Sequence, residues 1–527
     1  MTQKTSIKQW IALAAMGLGV FMGLLDVTVV NVALPTMVRD FNTTFTNLQW
    51  VLNAYTLVYA VTLMIMSKLG DMYGRKKIFL GSLILFVIAS AVNGMASSLL
   101  ILDIGRGVQA IGGAGMMSLS MALVASNFSG KGRGLALGIL GSVIGVSTAS
   151  GPLIGGYLVE NFGWSSIFYV NVPFGIIATI LTILYVKETP SYGKNQKVDL
   201  LGMLLSALGL FAIIYGLIVK EGHPHWDWTD ARVSSWLIGG VVVMIAFIIA
   251  EAKAKDPMVN LKMFKKPHFI GVVIVAFALG AGFYAYNAFL TALMQNYIGY
   301  SATQTGVRQL VMSVWSLVLG PIVGILSARY SKKWMISISM FVGTLGFWLM
   351  ARAISPTVSF VDLWPGMVFM GIANGMVNPL LNTAGMEGIP ANEMGMASGL
   401  LNVFRQLGTT IGVVVLGLLQ DNQYETYLNN HLSSINMPAP ALSGLKKALI
   451  DAGPFSGHGI AFSNRLSHAP FAQDFQRIVI HAYDNGMITV AISSAILALI
   501  GGIAAAVLLQ RNPKSVEIPV KQPEENN

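Results

Sequence analysis

Long apolar runs separated by short polar stretches dominate the chain, and their spacing predicts membrane-crossing helices rather than a soluble core. A helix needs roughly 20 apolar residues to cross the hydrocarbon layer. Runs that meet this begin near residues 10, 48, 78, 99, 135, 167, 200, 234, 269, 303, 334, 361, 395 and 486. Fourteen spans place both chain ends on one side. The first run, 10–35, is too long for the core of a cleaved signal peptide and contains an acid, so it reads as a retained first helix. The runs at 200–220 and 234–252 flank a loop bearing Trp226, Asp227 and Trp228, and they read as a hairpin inserted between two six-helix halves. The predicted organisation is therefore a six-helix bundle over 1–190, a linker with two extra spans over 191–266, a second six-helix bundle over 267–510, and a flexible tail over 511–527. Between 421 and 485 the rhythm lapses around Pro438, Pro440 and Pro454. That segment reads as a long extracellular loop with a short helical stretch at 442–449.

Composition supports an all-α membrane protein. Hydrophobic residues make up 54% of the 527 and charged residues 11%, against roughly 25% charged in a soluble domain. The 56 glycines suit helices that must touch closely in lipid, where no hydrophobic drive holds them together. With no Cys, disulfides, thiolate metal sites and cysteine nucleophiles are excluded. A formal charge of +10 does not point to nucleic acid, because the basic residues sit in clusters between spans. Of the 33 Lys and Arg, 22 fall on the side that carries both termini and 8 on the other, which predicts cytoplasmic termini. No HExxH, phosphate-binding glycine loop or nucleophile elbow is present, and no cytoplasmic segment is long enough for a signalling domain. We therefore expect neither an enzyme nor a bound metal or cofactor, and an ion gradient as the energy source.

The chemistry concentrates where charge enters a span. Asp26 lies in the outer half of the first helix, where an unpaired charge costs about 2.5 to 3.5 kcal/mol even on the lenient insertion scale. It must face a cavity, find a cation or take up a proton. Arg106 in the fourth span lies at comparable depth and is its candidate partner, a permanent structural pair being the alternative to a proton carrier. Asp103, three residues earlier, is placed to hold Arg106 itself, and it is the next candidate after Asp26 for the proton-coupling acid. Between the second and third spans, Ser67-Lys68-Leu69-Gly70-Asp71-Met72-Tyr73-Gly74-Arg75-Lys76-Lys77 combines a tight turn with an acid able to accept from helix amides. We read Asp71, Gly74 and Arg75 as a cytoplasmic latch. The fifth span carries Gly141 and Gly145 four apart, then Gly151, Pro152, Gly155 and Gly156, a pattern for close contact and a bend. Arg405 lies about ten residues into the thirteenth span without an evident counter-charge, while Glu387 and Glu393 flank an inner loop and are expected to be solvated.

Substrate contacts are sought on helices that would line a central cavity, since such sites sit near the midplane between repeats. From the second span these are Trp50, Asn53, Tyr55 and Tyr59; from the ninth, Tyr284, Tyr286 and Asn287; from the twelfth, Asn374, Asn378 and Asn382. Aromatic faces attract lipophilic cations.

These motifs together resemble those of the major facilitator superfamily. The 67–77 loop is similar to its loop signature, with Ser67 for the usual leading Gly, and 106–113 to its helix-four signature, with Ala110 for Gly. The Gly151-Pro152 and Gly155-Gly156 pairs are similar to the antiporter signature of drug exporters. The Asp26 region and 164–175 resemble the fourteen-helix drug:proton antiporters of the EmrB/QacA type. This resemblance implies a monomeric transporter of the bacterial inner membrane, in which the first-helix acid and the helix-four Arg serve proton coupling and the fifth helix serves exchange. Its implied partners are protons, the lipid bilayer and small-molecule drugs, lipophilic and often cationic. Export of an endogenous lipid, peptide or metabolite on the same scaffold is the alternative.

Overall fold

A computed structural model describes residues 6–43, 45–128, 130–189, 198–223, 226–435, 439–461 and 471–511. The described residues contain thirteen helices long and apolar enough to cross a membrane, and a fourteenth when a bent pair is counted as one span. They are α1 (Ile7–Asp40), α2 (Trp50–Tyr73), α3 (Arg75–Gly94), α4 (Leu99–Asn127), α5 (Gly130–Phe162), α6 (Ser166–Tyr185), α7 (Leu200–Gly222) and α8 (Ala231–Lys253). The second half holds α9 (Pro267–Tyr297), α10 (Ala302–Leu326), α11 (Lys332–Ala353), α12 (Phe360–Gly385), α13 (Met394–His431) and α14 (Ala472–Leu508). The polar linker over 190–197 and the tail from 512 lie outside the described residues.

Polar residues just ahead of the apolar runs start several of these helices. Ser6 and Gln9 form a reciprocal cap on α1, Ser301 and Gln304 do the same on α10, and the Asp199 carboxylate accepts from Gly202 N at the start of α7. Long helices then turn apolar residues outward, Leu204 and Leu208 on α7 and Ile245 and Ile249 on α8 being exposed as lipid contact requires. We call the end bearing the α1 N-terminus, the α2–α3 turn and the α14 C-terminus the basic end, and the opposite one the far end.

Several helix pairs join the halves, two of them most extensively. α5 runs along α10, and α2 along α13. Along the first pair, glycine meets glycine: a Cβ on Gly134 or Gly138 would strike the carbonyl of Gly324 or Gly320, and the reverse holds for both partners. The α7–α8 hairpin lies against α2 and α13, with Ile214 packed on Leu57, Ala60 and Leu407, so it covers one seam between the halves. Within α9, two π-helical stretches, Leu279–Tyr284 and Leu293–Tyr297, interrupt the α-helix.

Most of the expected long loop at 421–485 is helical. α13 continues to His431, a separate helix covers Ala439–Ala461, and α14 begins at Ala472. The apolar stripe of Tyr424 and Leu428 on α13 and Leu432 just after it meets Phe475 and Val479 on α14 and Leu449 of the separate helix. These residues form a small core beyond the span itself. A hydropathy scan registers only the lipid-facing part of each helix and so divides them too early.

Candidate functional site

Asp26 and Arg106 form an ion pair in the interior of the first half, where both are buried. The pair is held on every side. Asp26 Oδ1 also accepts from Gln109 Nε2 at 3.0 Å and Asn171 Nδ2 at 3.1 Å. Arg106 Nη1 donates to Gln109 Oε1 at 2.8 Å, and its Nε to the carbonyl of Val51 at 3.3 Å. Asn93 completes the network by donating to Gln109 Oε1 at 2.8 Å, while Asn171 also donates to Ser90 Oγ at 3.1 Å. A carboxylate with two amide donors and a guanidinium is well matched in its ionised form, because charge-assisted hydrogen bonds are about twice as strong as neutral ones. Removing water from such a pair costs several kcal/mol per ion, so the arrangement holds only while the geometry is complete.

Gln109 and Asn171 went unnoticed in the sequence, because a neutral amide carries no charge to announce itself within a span. Gln109 sits one turn after Arg106, and Asn171 opens the longer helical piece of α6, two residues before Pro173; those positions were the available signals. Asp103 does not pair with Arg106. Asp26, Gln109 and the Tyr55 ring draw the guanidinium into the bundle, leaving Asp103 half-buried with Oδ1 enclosed and unpartnered.

A cavity of about 450 Å³ lies beside this pair, between the halves and in the half of the bundle nearer the far end. Tyr55 links the two, lining the cavity while the Arg106 guanidinium lies 4.2 Å from its ring centroid. Tyr59 stacks on Tyr55 at 5.7 Å and also lines the cavity, as do Tyr284 and Asn287 from α9. Other expected contacts lie elsewhere. Trp50 is exposed and packs on Tyr215 of the hairpin, and Asn53 is outside the lining. Tyr286 is buried edge-on against Phe347, because the α9 helix turns it away from the residues on either side of it. The asparagines of α12 stand behind the wall: Tyr284 donates to Asn378 Oδ1 at 3.0 Å, and Asn378 to Asn374 Oδ1 at 2.7 Å. Asn382 is buried and does not reach the cavity.

The basic end is closed by the loop between α2 and α3. Asp71 accepts from Gly395 N at 3.2 Å and Met396 N at 2.9 Å, at the N-terminus of α13, where the helix dipole favours an anion. Arg75 pairs with Asp71 and donates to the carbonyl of Ala391 at 2.7 Å, again across the halves. Gly74 takes φ 108°, a conformation that favours glycine, and a Cβ there would run into the Glu188 carboxyl. That carboxyl accepts from Lys76 N and Lys77 N and so caps α3. Glu393 accepts from Asn260 Nδ2, and Glu387 is partly buried and pairs with Lys332, so the inner-loop acids are engaged rather than simply solvated.

In α5 the two pieces Gly132–Ser147 and Ser150–Phe162 meet at 47°, with Pro152 in the first turn after the break. Gly151 and Gly155 press on Thr28 and Val29 of α1, Gly141 on Pro379 of α12, Gly145 on Ser316 and Gly156 on Thr303 of α10. One glycine-rich helix thus touches the helix that carries Asp26 and two helices of the other half.

Two helical halves, a cavity between them and a buried ion pair one ring away from it are the arrangement of a membrane transporter. The family model described as Major Facilitator Superfamily matches residues 16–413, and the chain belongs to that superfamily. The chain is 32% identical over 464 residues to the multidrug resistance protein Stp of Mycobacterium tuberculosis, covering 87% of this chain and 85% of that protein. It is 29% identical over 508 residues to multidrug resistance protein 3 of Bacillus subtilis, covering 96% of each. Among solved structures, the human organic anion transporter MFSD10 superposes with a TM-score of 0.61, covering 94% of this chain and 99% of that one. At 13% identity that likeness is one of fold alone.

Proposed function

We propose that the protein is a proton-coupled exporter of lipophilic small molecules, working by alternating access from the bacterial inner membrane with both termini in the cytoplasm. The observation that carries this reading is the sealed Asp26–Arg106 pair standing one aromatic ring, Tyr55, from the cavity. The basic residues favour an inward basic end, which makes the closed latch the mark of an outward-facing state. Protonation of Asp26 from outside removes the counter-charge of Arg106. The guanidinium then depends more on Val51 O, Gln109 and the Tyr55 ring, and a change at that ring is felt in the cavity wall. The drug leaves outward as Asp26 takes up its proton, and proton release inward in the opposite state restores the pair as the next drug binds. Its relatives' names as multidrug resistance proteins agree with this role.

Energetically one proton suffices for a useful gradient. A pH unit stores about 1.4 kcal/mol per proton and 100 mV adds about 2.3 kcal/mol per net charge. Together they support a gradient of several hundredfold for a neutral compound. The test is uptake of cationic, neutral and anionic lipophilic compounds into inside-out vesicles under an imposed pH gradient. Accumulation that collapses with a protonophore is expected, and accumulation that is indifferent to the gradient contradicts the proposal.

A further inference from the structure

Among the described residues that line the cavity, Arg405 is the single charged one. Its guanidinium donates to Asn402 Oδ1 on its own helix, and its carbon lies 5.9 Å from the Tyr284 ring centroid. Among the described residues it has no acidic partner, in contrast to Arg106, whose charge Asp26 balances. Arg keeps its charge under all physiological conditions and carries five N–H donors in a planar fork that fits a carboxylate. One of those donors reaches Asn402. A cation within a span needs a partner or water, and the cavity supplies only neutral groups.

The position is also built to be rigid. Gly280, in the first π-helical stretch of α9, packs on the carbonyl of Arg405, and Gly408 packs on the carbonyl of Phe277, so α9 and α13 touch backbone to backbone around it. Asn402 is oriented by donating to Ser398 O at 2.9 Å, which turns its oxygen toward Arg405. Tyr284 is fixed by Asn378. Single-turn π segments are frequent at functional sites, and here one carries Tyr284, whose ring lies beside the unneutralised charge.

We propose that Arg405 is the anchor for an anionic group, a carboxylate or an acidic enol or phenol, on substrates whose aromatic body lies against Tyr55, Tyr59 and Tyr284. This names a substrate class for the exporter reading and rests on it. The class differs from the lipophilic cations that the aromatic residues alone suggest, since a cation bound here meets an uncompensated positive charge.

The experiment uses three pyrene compounds with one aromatic body: pyrenebutyrate, pyrenebutyramide and pyrenebutylamine. Each is titrated into the full-length protein in nanodiscs, and transport is followed in parallel in proteoliposomes under a pH gradient. Wild-type protein is expected to bind the carboxylate about tenfold more tightly than the amide, the scale of a charge-assisted bidentate contact, and the amine weakest. In Arg405→Gln the preference is expected to shrink to within about twofold, and Arg405→Lys to keep part of it. Equal wild-type affinities overturn the proposal without recourse to any variant. A small inorganic anion as the sole occupant would appear as equal affinities for the three compounds together with chloride-dependent protein fluorescence lost in Arg405→Gln, and that also overturns it. Binding needs no proton gradient, so the two readings fail separately. Selective binding without pH-driven transport defeats the exporter reading, while transport of all three with equal binding defeats only the anchor.

Discussion

Charged residues inside the bundle are few, and the neighbours of two acids account for their burial. Asp26 is satisfied by Arg106, Gln109 and Asn171, and Asp71 by Arg75 and the amides of Gly395 and Met396. The Asp26–Arg106 partnership was legible in the sequence because two opposite charges at equal depth have few other places to go. The amides around them were not, since they depend on which way each helix is turned, whereas the want of a counter-charge for Arg405 was already readable. Asp71 yields a prediction at this scale. Asp71→Ala removes two helix-capping acceptors and the partner of Arg75, so the basic end should open more readily. With no native Cys, spin labels at Lys77→Cys and Arg329→Cys report this distance cleanly. Asp71→Ala is expected to add a longer-distance population to the electron–electron resonance trace, and an unchanged distribution counts against the latch.

Among the elements, α5 shows how small residues set the contacts of a bent helix. Its glycines allow backbone contact with α10 and α1, and dispersion at such contacts replaces the hydrophobic drive that lipid does not provide. Periodicity of Gly in α5 marked this helix, but its partners Gly306, Gly320 and Gly324 on α10 drew no notice, since a contact face is recognised only once both sides are seen. The π segments of α9 left no hydropathy signal at all, because an extra residue in a turn changes neither length nor composition enough to register. Gly151→Leu drives a side chain into Thr28, which lines the cavity. The variant is expected to reach the membrane at near wild-type levels while proton-driven export falls at least about tenfold, a loss of roughly 1.4 kcal/mol or more in transition-state stabilisation. Inverted-vesicle transport normalised to protein measures this. Wild-type export by Gly151→Leu would show that the α1–α5 contact is not needed for exchange.

For the whole molecule, the count of spans, the two halves and the extra pair of helices were readable from the start, because each is written in long apolar runs. The small core beyond the spans, formed by the ends of α13 and α14 with the Ala439–Ala461 helix, was hidden by prolines and polar residues. Contact at the basic end and a cavity toward the far end go together: Asp71 ties the halves at the start of α13, and the space lined by α1, α2, α9 and α13 lies between them farther along. Coupling requires that the proton site bias this arrangement. The direct test is Asp26→Asn, which keeps the shape of the side chain and its hydrogen-bonding oxygen but cannot titrate, while Arg106 retains Val51 O, Gln109 and the Tyr55 ring. In proteoliposomes given a pH step, the variant is expected to bind a compound that the wild type exports within about threefold of wild-type affinity, a difference of roughly 0.6 kcal/mol, yet to accumulate none against its gradient. Accumulation by Asp26→Asn in response to the pH step would contradict the account and place proton coupling elsewhere in the chain.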